Sequence, residues 1–265
     1  MGFLGSRIKE LLLKSGYEVI PFLRGDDLNK CFSEHKIDAI IHTATCYGRN
    51  RESWPEISEP NLILPLRLLS LGEQAGVTCF INSDTFFNHK IKFEKNESYY
   101  VQTKKDFLDI ARHALPSMKM KFFNLRIEQM YGPNDNPDKF IPIMIQKLIS
   151  ETESIPLTPG EQKRDLVYVD DVARAFLNIL KKQHELEQYV EFGIGHGHSV
   201  SILELVTYLK EITGSTSALG FGMLPYRDNE IMDSYAATEN HGKIDWKAET
   251  DWKDGLRKTV ASYKK

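Results

Sequence analysis

Three side chains in the middle of the sequence have the types and spacing for proton transfer to a carbonyl oxygen. Tyr100 and Lys104 lie four residues apart in a segment with helical spacing, so both would share one helix face. A phenol with a pKa of about 10 exchanges protons poorly at neutral pH unless a nearby ammonium stabilises the phenolate, as Lys104 would. Ser83, at the end of an apolar stretch, would hydrogen-bond the same oxygen. A tyrosine and a lysine on a solvated helix face are the simpler alternative.

A pair of glycines opens the chain and points to a nucleotide. Gly2 and Gly5 precede a helix predicted over 7–14, which Gly16 ends. Dinucleotide-binding folds place such glycines after their first strand, because small residues let a pyrophosphate reach the amides of the helix N-terminus. An ordinary loop before a helix is the alternative. No strand precedes Gly2, so we expect the first strand of such a fold to be missing from this chain.

The next strand predicts the choice of cofactor. Residues 18–23 read as a strand that ends at Arg24, with Asp26 and Asp27 just beyond. An arginine at this position pairs with the 2′-phosphate of NADPH, whereas a carboxylate accepts from the ribose 2′-hydroxyl of NADH. We predict NADPH from Arg24, and either aspartate turned inward would favour NADH instead.

Strands and helices alternate through the first half of the chain. Buried strands are predicted over 38–45 and 78–82, with an amphipathic helix over 61–76 between them. This alternation is typical of an α/β fold with a doubly wound, parallel sheet. His42 lies within the first of these strands and is interpreted as a hydrogen-bonded core histidine.

The composition excludes several classes of protein. The 265 residues are 41% hydrophobic and 27% charged, with a formal net charge of -3, so neither a nucleic acid nor an anionic membrane is an expected partner. No uncharged apolar run is long enough to span a membrane and no secretory signal is seen, so we predict a cytoplasmic protein. The three cysteines predict reduced thiols, and no metal site is predicted. Small molecules remain as ligands.

Later motifs complete a pattern. An "LR…YGP" segment runs from Asn124 to Pro133, the stretch GEQKRDLVYVDDV covers residues 160–172, and Arg227 is followed three residues later by Glu230. With the glycine pair, Ser83 and the tyrosine–lysine pair, these motifs resemble the extended short-chain dehydrogenase/reductase family, the NAD-dependent epimerases and dehydratases that act on nucleotide sugars. The resemblance spans essentially the whole chain.

The resemblance implies a role for each motif. Tyr100 would donate a proton, Lys104 would lower the pKa of Tyr100 and hold the nicotinamide ribose, and Ser83 would position the oxygen. The residues expected to contact the cofactor are Gly2, Phe3, Leu4, Gly5, Arg24, Thr43, Ala44, Tyr100, Lys104 and Ile127. The residues expected to contact the substrate are Asp84, Thr85, Gln129, Arg164, Arg227 and Glu230.

Two arginines are expected to bind the substrate diphosphate, since separated guanidinium groups match a pyrophosphate. For Arg164 the simpler alternative is an ion pair with Asp165 or Asp171, and for Arg227 it is an ion pair with Asp228. The family also implies a dinucleotide-binding domain of residues 1–132 and 161–192, a sugar-nucleotide lobe of residues 133–160 and 193–265, and a homodimer.

Within the family, one residue separates the possible reactions. Dehydratases carry Thr-Asp-Glu where this chain has Ser83-Asp84-Thr85, so the acid–base glutamate that elimination needs is missing. The pattern most resembles the members that reduce the C4 ketone of CDP-4-keto-3,6-dideoxyglucose with NADPH in bacterial O-antigen pathways. The alternatives are reduction of a 4-keto-6-deoxyheptose nucleotide, nucleotide-sugar epimerisation, and a non-catalytic sensor that binds NADP.

Overall fold

The computed structural model describes residues 1–89 and 97–264, so residue 265 of the predicted lobe lies outside it. The helices of the described residues are α1 (Phe3–Lys14), α2 (Leu28–Glu34), α3 (Trp54–Ser58), α4 (Leu64–Ala75), α5 (Glu97–Ala114), α6 (Phe140–Ile149), α7 (Val169–Lys182), α8 (Ile202–Thr213) and α9 (Trp252–Tyr263). The strands are β1 (Ala39–His42), β2 (Cys79–Thr85), β3 (Lys121–Ile127), β4 (Gln129–Tyr131), β5 (Ser154–Pro156), β6 (Lys163–Arg164), β7 (Leu166–Tyr168), β8 (Tyr189–Ile194), β9 (Val200–Ser201), β10 (Ala218–Gly220) and β11 (Asp233–Ser234).

The chain divides into two compact units. The first comprises Met1–Ile127, Ala173–Gly193 and Glu239–Trp246, and the second comprises Glu128–Val172, Ile194–Thr238 and Lys247–Lys265. The functional domains expected from the sequence stay a prediction.

A four-stranded sheet in the order β1-β2-β3-β8 forms the centre of the first unit. β1, β2 and β3 run parallel, with Ile40 opposite Phe80 and Phe80 opposite Phe122. These residues, together with Phe107 of α5, belong to one buried cluster whose phenyl rings lie 5.5–6.0 Å apart. Parallel sheets carry apolar residues on their covered faces, and this one follows that rule. The predicted α/β fold with a parallel central sheet is confirmed.

Glycine lets helix α4 lie close to the sheet. A Cβ atom at Gly72 would stand 2.8 Å from Cδ1 of Ile40, so a larger residue would require the end of the Ile40 side chain to move. The helix then ends at Gly76, whose φ of 75° is the left-handed conformation that closes helices. The predicted helix over 61–76 is therefore present, with its first residues wound as a π-helix over Glu59–Ile63.

The strand predicted over 18–23 is wrong. These residues have no regular structure, and most of their side chains are exposed or half-buried. A strand exists only through hydrogen bonds to a neighbour, and the sheet of the described residues ends at β1. Among the described residues, no strand lies beside this segment as a partner. Without that partner, an apolar pattern alone does not make a strand.

The second unit is built from helices and short strands. Helices α6, α8 and α9 supply Ile145, Leu209 and Leu256 to its buried core. β4 pairs with β7, β5 pairs with β10, and β6 lies between β9 and β11. Helix α8 begins with a capping box, in which Ser201 and Glu204 bond each other's backbone amides. None of the helices in the described ranges is long and apolar enough to cross a membrane.

Candidate active site

The strand β2 is longer than predicted and includes the polar cluster. It runs to Thr85, so Ser83, Asp84 and Thr85 are its last three residues, and all three are buried. Open α/β sheets bind their ligands at the carboxyl ends of strands. The structure therefore presents these polar side chains at the edge of the sheet where a site is expected.

Helix α5 brings Tyr100 and Lys104 to the same end of β2. Both side chains are buried, with exposed fractions of 7% and 2%. The Nζ of Lys104 donates a hydrogen bond of 2.7 Å to the backbone oxygen of Ser83. The phenol of Tyr100 hydrogen-bonds the side chain of Thr85. The three residues predicted to act in catalysis thus lie around the end of one strand, and their catalytic roles stay a prediction.

Burial changes the acidity of both groups. It lowers the pKa of Lys104 to about 8, against the attraction of Asp84, which raises it. Burial also raises the pKa of Tyr100 well above 10, helped by Tyr47 and Asp84, while the hydrogen bond from Thr85 acts in the opposite direction. Tyr100 therefore holds its proton at neutral pH. The predicted effect of Lys104 on the Tyr100 pKa stays a prediction.

A loop after β1 forms one wall around Tyr100, and sequence analysis missed it. The ring of Tyr47 lies 5.0 Å from the ring of Tyr100, and the guanidinium of Arg49 lies 5.0 Å from the Tyr47 ring. Arg49 lowers the pKa of Tyr100, although burial dominates. The available signal was an aromatic residue and an arginine directly after a strand that ends in small residues.

Asn61 ties this loop to helix α5. Its side chain accepts from the backbone N–H of Cys46 at 3.0 Å and donates to the Cys46 carbonyl at 2.8 Å. The same amide donates to Thr103 at 3.3 Å, and the Thr103 hydroxyl donates to the Tyr100 carbonyl. Asn61 is completely buried, which is unusual for an asparagine, and sequence analysis used this position only as the start of a predicted helix.

The N-terminus of α1 fits the pyrophosphate of a dinucleotide. Gly2 is the N-cap residue of α1, and no side chain among the described residues caps this end of the helix. The first turn of α1 carries no acidic residue. A Cβ atom at Gly5 would lie 3.0 Å from Oγ1 of Thr43, so this turn approaches the end of β1 closely. Ala44 follows Thr43 and both are half-buried, while Ile127 ends β3 and is buried. Phe3 and Leu4 complete the first turn.

Of the residues predicted to select the cofactor, Asp26 and Asp27 are hydrogen-bonded to backbone amides, whereas Arg24 is exposed. Asp26 accepts a hydrogen bond of 2.6 Å from the amide of Leu23, and Asp27 caps α2 by accepting from the amides of Asn29 and Lys30. Arg24 is exposed. Both carboxylates are thus turned toward backbone amides of their own segment.

In the second unit, two predicted substrate residues contact each other. Arg164 on β6 forms an ion pair with Glu230, with Nη2 2.5 Å from Oε1, and it also donates to the carbonyls of Lys163 and Ile231. Arg227 is exposed, and its carbonyl accepts from the amide of Glu230. The structure thus brings Arg164 and Glu230 together. Gln129 begins β4 and is half-buried.

Asp165 does not pair with Arg164, as one alternative had it. Its carboxylate is fully buried and accepts from the amides of His196, Gly197 and Ala236 at 2.8–3.1 Å. A Cβ atom at Gly195 would stand 2.4 Å from this carboxylate. Asp165 therefore holds two loops of the second unit together, and that role explains the glycines after β8.

Comparison with known proteins finds relatives that are named as nucleotide-sugar enzymes. The NAD dependent epimerase/dehydratase family matches residues 1–195. CDP-abequose synthase of Salmonella typhimurium is 35% identical over 98% of this chain and 94% of its own length. dTDP-D-glucose 4,6-dehydratase of Bos taurus is 27% identical over 97% of this chain and 78% of its own length. The structure of UDP-glucose 4-epimerase from Thermotoga maritima with UDP-glucose has a TM-score of 0.83 at 24% identity and covers 99% of this chain and 96% of its own, which shows a shared fold.

Proposed function

Because the chain belongs to the NAD-dependent epimerase/dehydratase family, as its motifs predicted, we propose that it reduces the C4 ketone of a nucleotide-linked 4-keto-deoxysugar with NADPH. The proposed substrate is CDP-4-keto-3,6-dideoxyglucose, and the product is CDP-abequose or CDP-paratose. The observation that carries the proposal is the buried pair of Tyr100 and Lys104 around Ser83 and Thr85, and the similarity to CDP-abequose synthase supports it.

Each residue of the site has a separate role in a carbonyl reduction. Tyr100 donates its proton to the C4 oxygen, and the hydroxyl of Ser83 orients that oxygen. Lys104 stabilises the phenolate that remains. When bound, NADPH supplies the hydride that becomes the new C4–H bond. The ketone, one hydride and one proton thus give the alcohol, and a proton from water restores Tyr100.

Tyr100 is protonated at neutral pH, and that is the form a reduction needs at its start. Burial raises the pKa of its phenol well above 10, so the proton is in place before the ketone arrives. A reaction that begins by oxidising a sugar hydroxyl needs the phenolate instead. Thr85 supports the same choice, because it supplies a hydroxyl to Tyr100 where a dehydratase would need a glutamate.

The contacts of Asp26 and Asp27 and the exposure of Arg24 favour NADPH over NADH. Asp26 and Asp27 accept hydrogen bonds from nearby backbone amides, so turning either carboxylate to a ribose hydroxyl would break those bonds. Arg24 is exposed and matches a 2′-phosphate. Gly2 and Gly5 leave room for the pyrophosphate at the N-terminus of α1.

Arg164 is the proposed contact of the substrate diphosphate. Glu230 and two backbone carbonyls hold its guanidinium in place, so little side-chain freedom is lost on binding. Replacing Arg164 by Met should raise the KM for the sugar nucleotide and leave kcat nearly unchanged, with Arg67→Met, at an exposed position of α4, as the control.

A substrate panel tests the function. CDP-, GDP- and dTDP-linked 4-keto sugars are each mixed with enzyme and NADPH, absorbance of NADPH is followed, and products are identified by NMR. Oxidation of NADPH with a CDP-linked ketone supports the proposal. Binding of NADPH without oxidation by any of these sugars would support a sensor, and interconversion of two sugars without net oxidation would support an epimerase.

A further inference from the structure

A row of polar side chains crosses the apolar sheet of the first unit directly below the site. His42 on β1, Asn82 on β2 and Asn124 on β3 occupy paired positions on adjacent strands, so they share one face of the sheet. Their exposed fractions are 3%, 1% and 0%. Two residues earlier on each strand, the corresponding row on the same face is Ile40, Phe80 and Phe122. Polar groups in such a place destabilise the fold unless each finds a partner.

Hydrogen bonds join these residues into a chain that ends at Asp84. The Asn124 amide nitrogen donates to Oδ2 of Asp84 at 2.9 Å, and the Asn82 amide nitrogen donates to the Asn124 oxygen at 2.8 Å. The Asn82 oxygen lies 3.1 Å from Nδ1 of His42, whose Nε2 lies 3.1 Å from the carbonyl oxygen of Pro60.

The direction of the chain follows from the charge of Asp84. An ionised carboxylate only accepts hydrogen bonds, so Asn124 must turn its NH₂ group toward Asp84 and its oxygen toward Asn82. Asn82 must then turn its oxygen toward His42. Nδ1 of His42 must therefore carry a proton. Burial lowers the pKa of His42 to about 3, so the ring is neutral at neutral pH and carries a single proton. The Asn82 oxygen and the Pro60 carbonyl oxygen each need a donor, and an ionised Asp84 assigns that proton to Nδ1.

Charged and titratable groups surround the other side of Asp84. From α5, Lys104 and Tyr100 interact with it, from β3 Arg126 does so, and from β8 Tyr189 does so. The charge of Lys104 also acts on His42 of β1 and lowers its pKa. The amide of Thr85 donates to the second carboxylate oxygen at 2.8 Å, so both oxygens of Asp84 are held.

We propose that His42, Asn82 and Asn124 are positioning residues that hold Asp84 as a fixed, ionised counter-charge to Lys104. Asp84 thereby keeps the buried ammonium protonated while Lys104 is bonded to the Ser83 carbonyl. The consequence for catalysis rests on the proposed function, because it assumes that Lys104 acts charged. The hydrogen-bond chain itself does not depend on that function.

The first test needs no activity. Long-range ¹H–¹⁵N NMR of histidine rings, with the His42 signal assigned through its loss in His42→Gln, reports which ring nitrogen is protonated. A proton on Nδ1 supports the proposal. A proton on Nε2 alone, with bare Nδ1, overturns it, because both amides would then be reversed and Asp84 would have to be protonated.

The second test follows the charge of Lys104 through the pH dependence of kcat/KM. At high pH, kcat/KM should fall as Lys104 loses its proton; this fall is called the basic limb. In Asp84→Asn, loss of a close opposite charge should move the basic limb to a pH about one unit lower, since nearby charges shift a pKa by one to three units. At pH 7.5 that change alone lowers the charged fraction of Lys104 about threefold. Asn124→Leu, which keeps the side-chain size, should move the limb in the same direction by less.

Two comparisons separate positioning from simple loss of stability. Ile81→Val removes one methyl group from the opposite, fully buried face of β2, and the basic limb should stay in place. Adding Asn124→Leu to Asp84→Asn should shift the limb no further. An equal further shift in the double variant, or an unmoved limb in Asp84→Asn, overturns the proposal. If no ketone is reduced at all, the proposed function fails. The NMR result still shows whether the hydrogen bonds from Asp84 to His42 run in the proposed direction.

Discussion

The choice of cofactor is the prediction that follows most directly from single residues. Arg24 is exposed beyond the irregular segment 18–23, while the carboxylates of Asp26 and Asp27 are bonded to backbone amides. Replacing Arg24 by Ala removes the guanidinium and leaves both carboxylates where they are. We expect weaker binding of NADPH and unchanged binding of NADH.

The size of the effect can be worked out from one charged contact. A hydrogen bond to a charged group contributes about 1.5–3 kcal/mol. Since 1.4 kcal/mol is a factor of ten in affinity, the Kd for NADPH should rise about 10- to 100-fold. The effect should shrink as salt is added, because an exposed arginine and a phosphate are screened by ions.

In the assay, each variant is titrated with NADPH and with NADH, and binding is measured by calorimetry or by cofactor fluorescence. Lys30→Ala is the matched control, since Lys30 is also an exposed cation, on α2, and should bind both cofactors like the parent. Equal losses of NADPH and NADH affinity in Arg24→Ala, or an unchanged NADPH affinity, would refute the assignment of Arg24.

Three further predictions test the site. Tyr100→Phe should lower kcat by at least about 100-fold and leave the Kd for NADPH nearly unchanged, because only the proton donor is lost; normal turnover would contradict this role. Gly5→Val should weaken both cofactors by about tenfold or more, since its side chain meets Thr43, whereas Gly242→Ala has open space around its Cβ, lies in the turn His241–Ile244 away from the expected cofactor contacts, and should bind both like the parent; equal losses in the two variants would count against the pyrophosphate site. Activity should fall as pH rises through about 8, where Lys104 loses its proton, and a flat profile would exclude a charged Lys104.

Local patterns predicted the parts of the structure that local interactions determine. The helical spacing of Tyr100 and Lys104 holds because one turn of α5 places them together. The end of α4 at Gly76 follows from the conformational freedom of that residue. The order of strands and helices was sufficient to predict the parallel sheet.

Features that depend on partners far along the chain were missed. The segment 18–23 has the apolar pattern of a strand, yet no strand among the described residues lies beside it to form hydrogen bonds. The partner of Arg164 is Glu230, 66 residues away, rather than the adjacent Asp165. The row formed by His42, Asn82 and Asn124 appears only when the register of three strands is known. None of these pairings is encoded in residue spacing.

Transfer of deuterium from NADPH tests the central claim most directly. The enzyme is incubated with CDP-4-keto-3,6-dideoxyglucose and NADPH deuterated at the nicotinamide C4, on one face and then on the other, and the product is examined by NMR. The account predicts one deuterium at sugar C4 per NADPH oxidised, from one of the two labelled forms. A product without deuterium at C4, or conversion of the sugar without oxidation of NADPH, would contradict it.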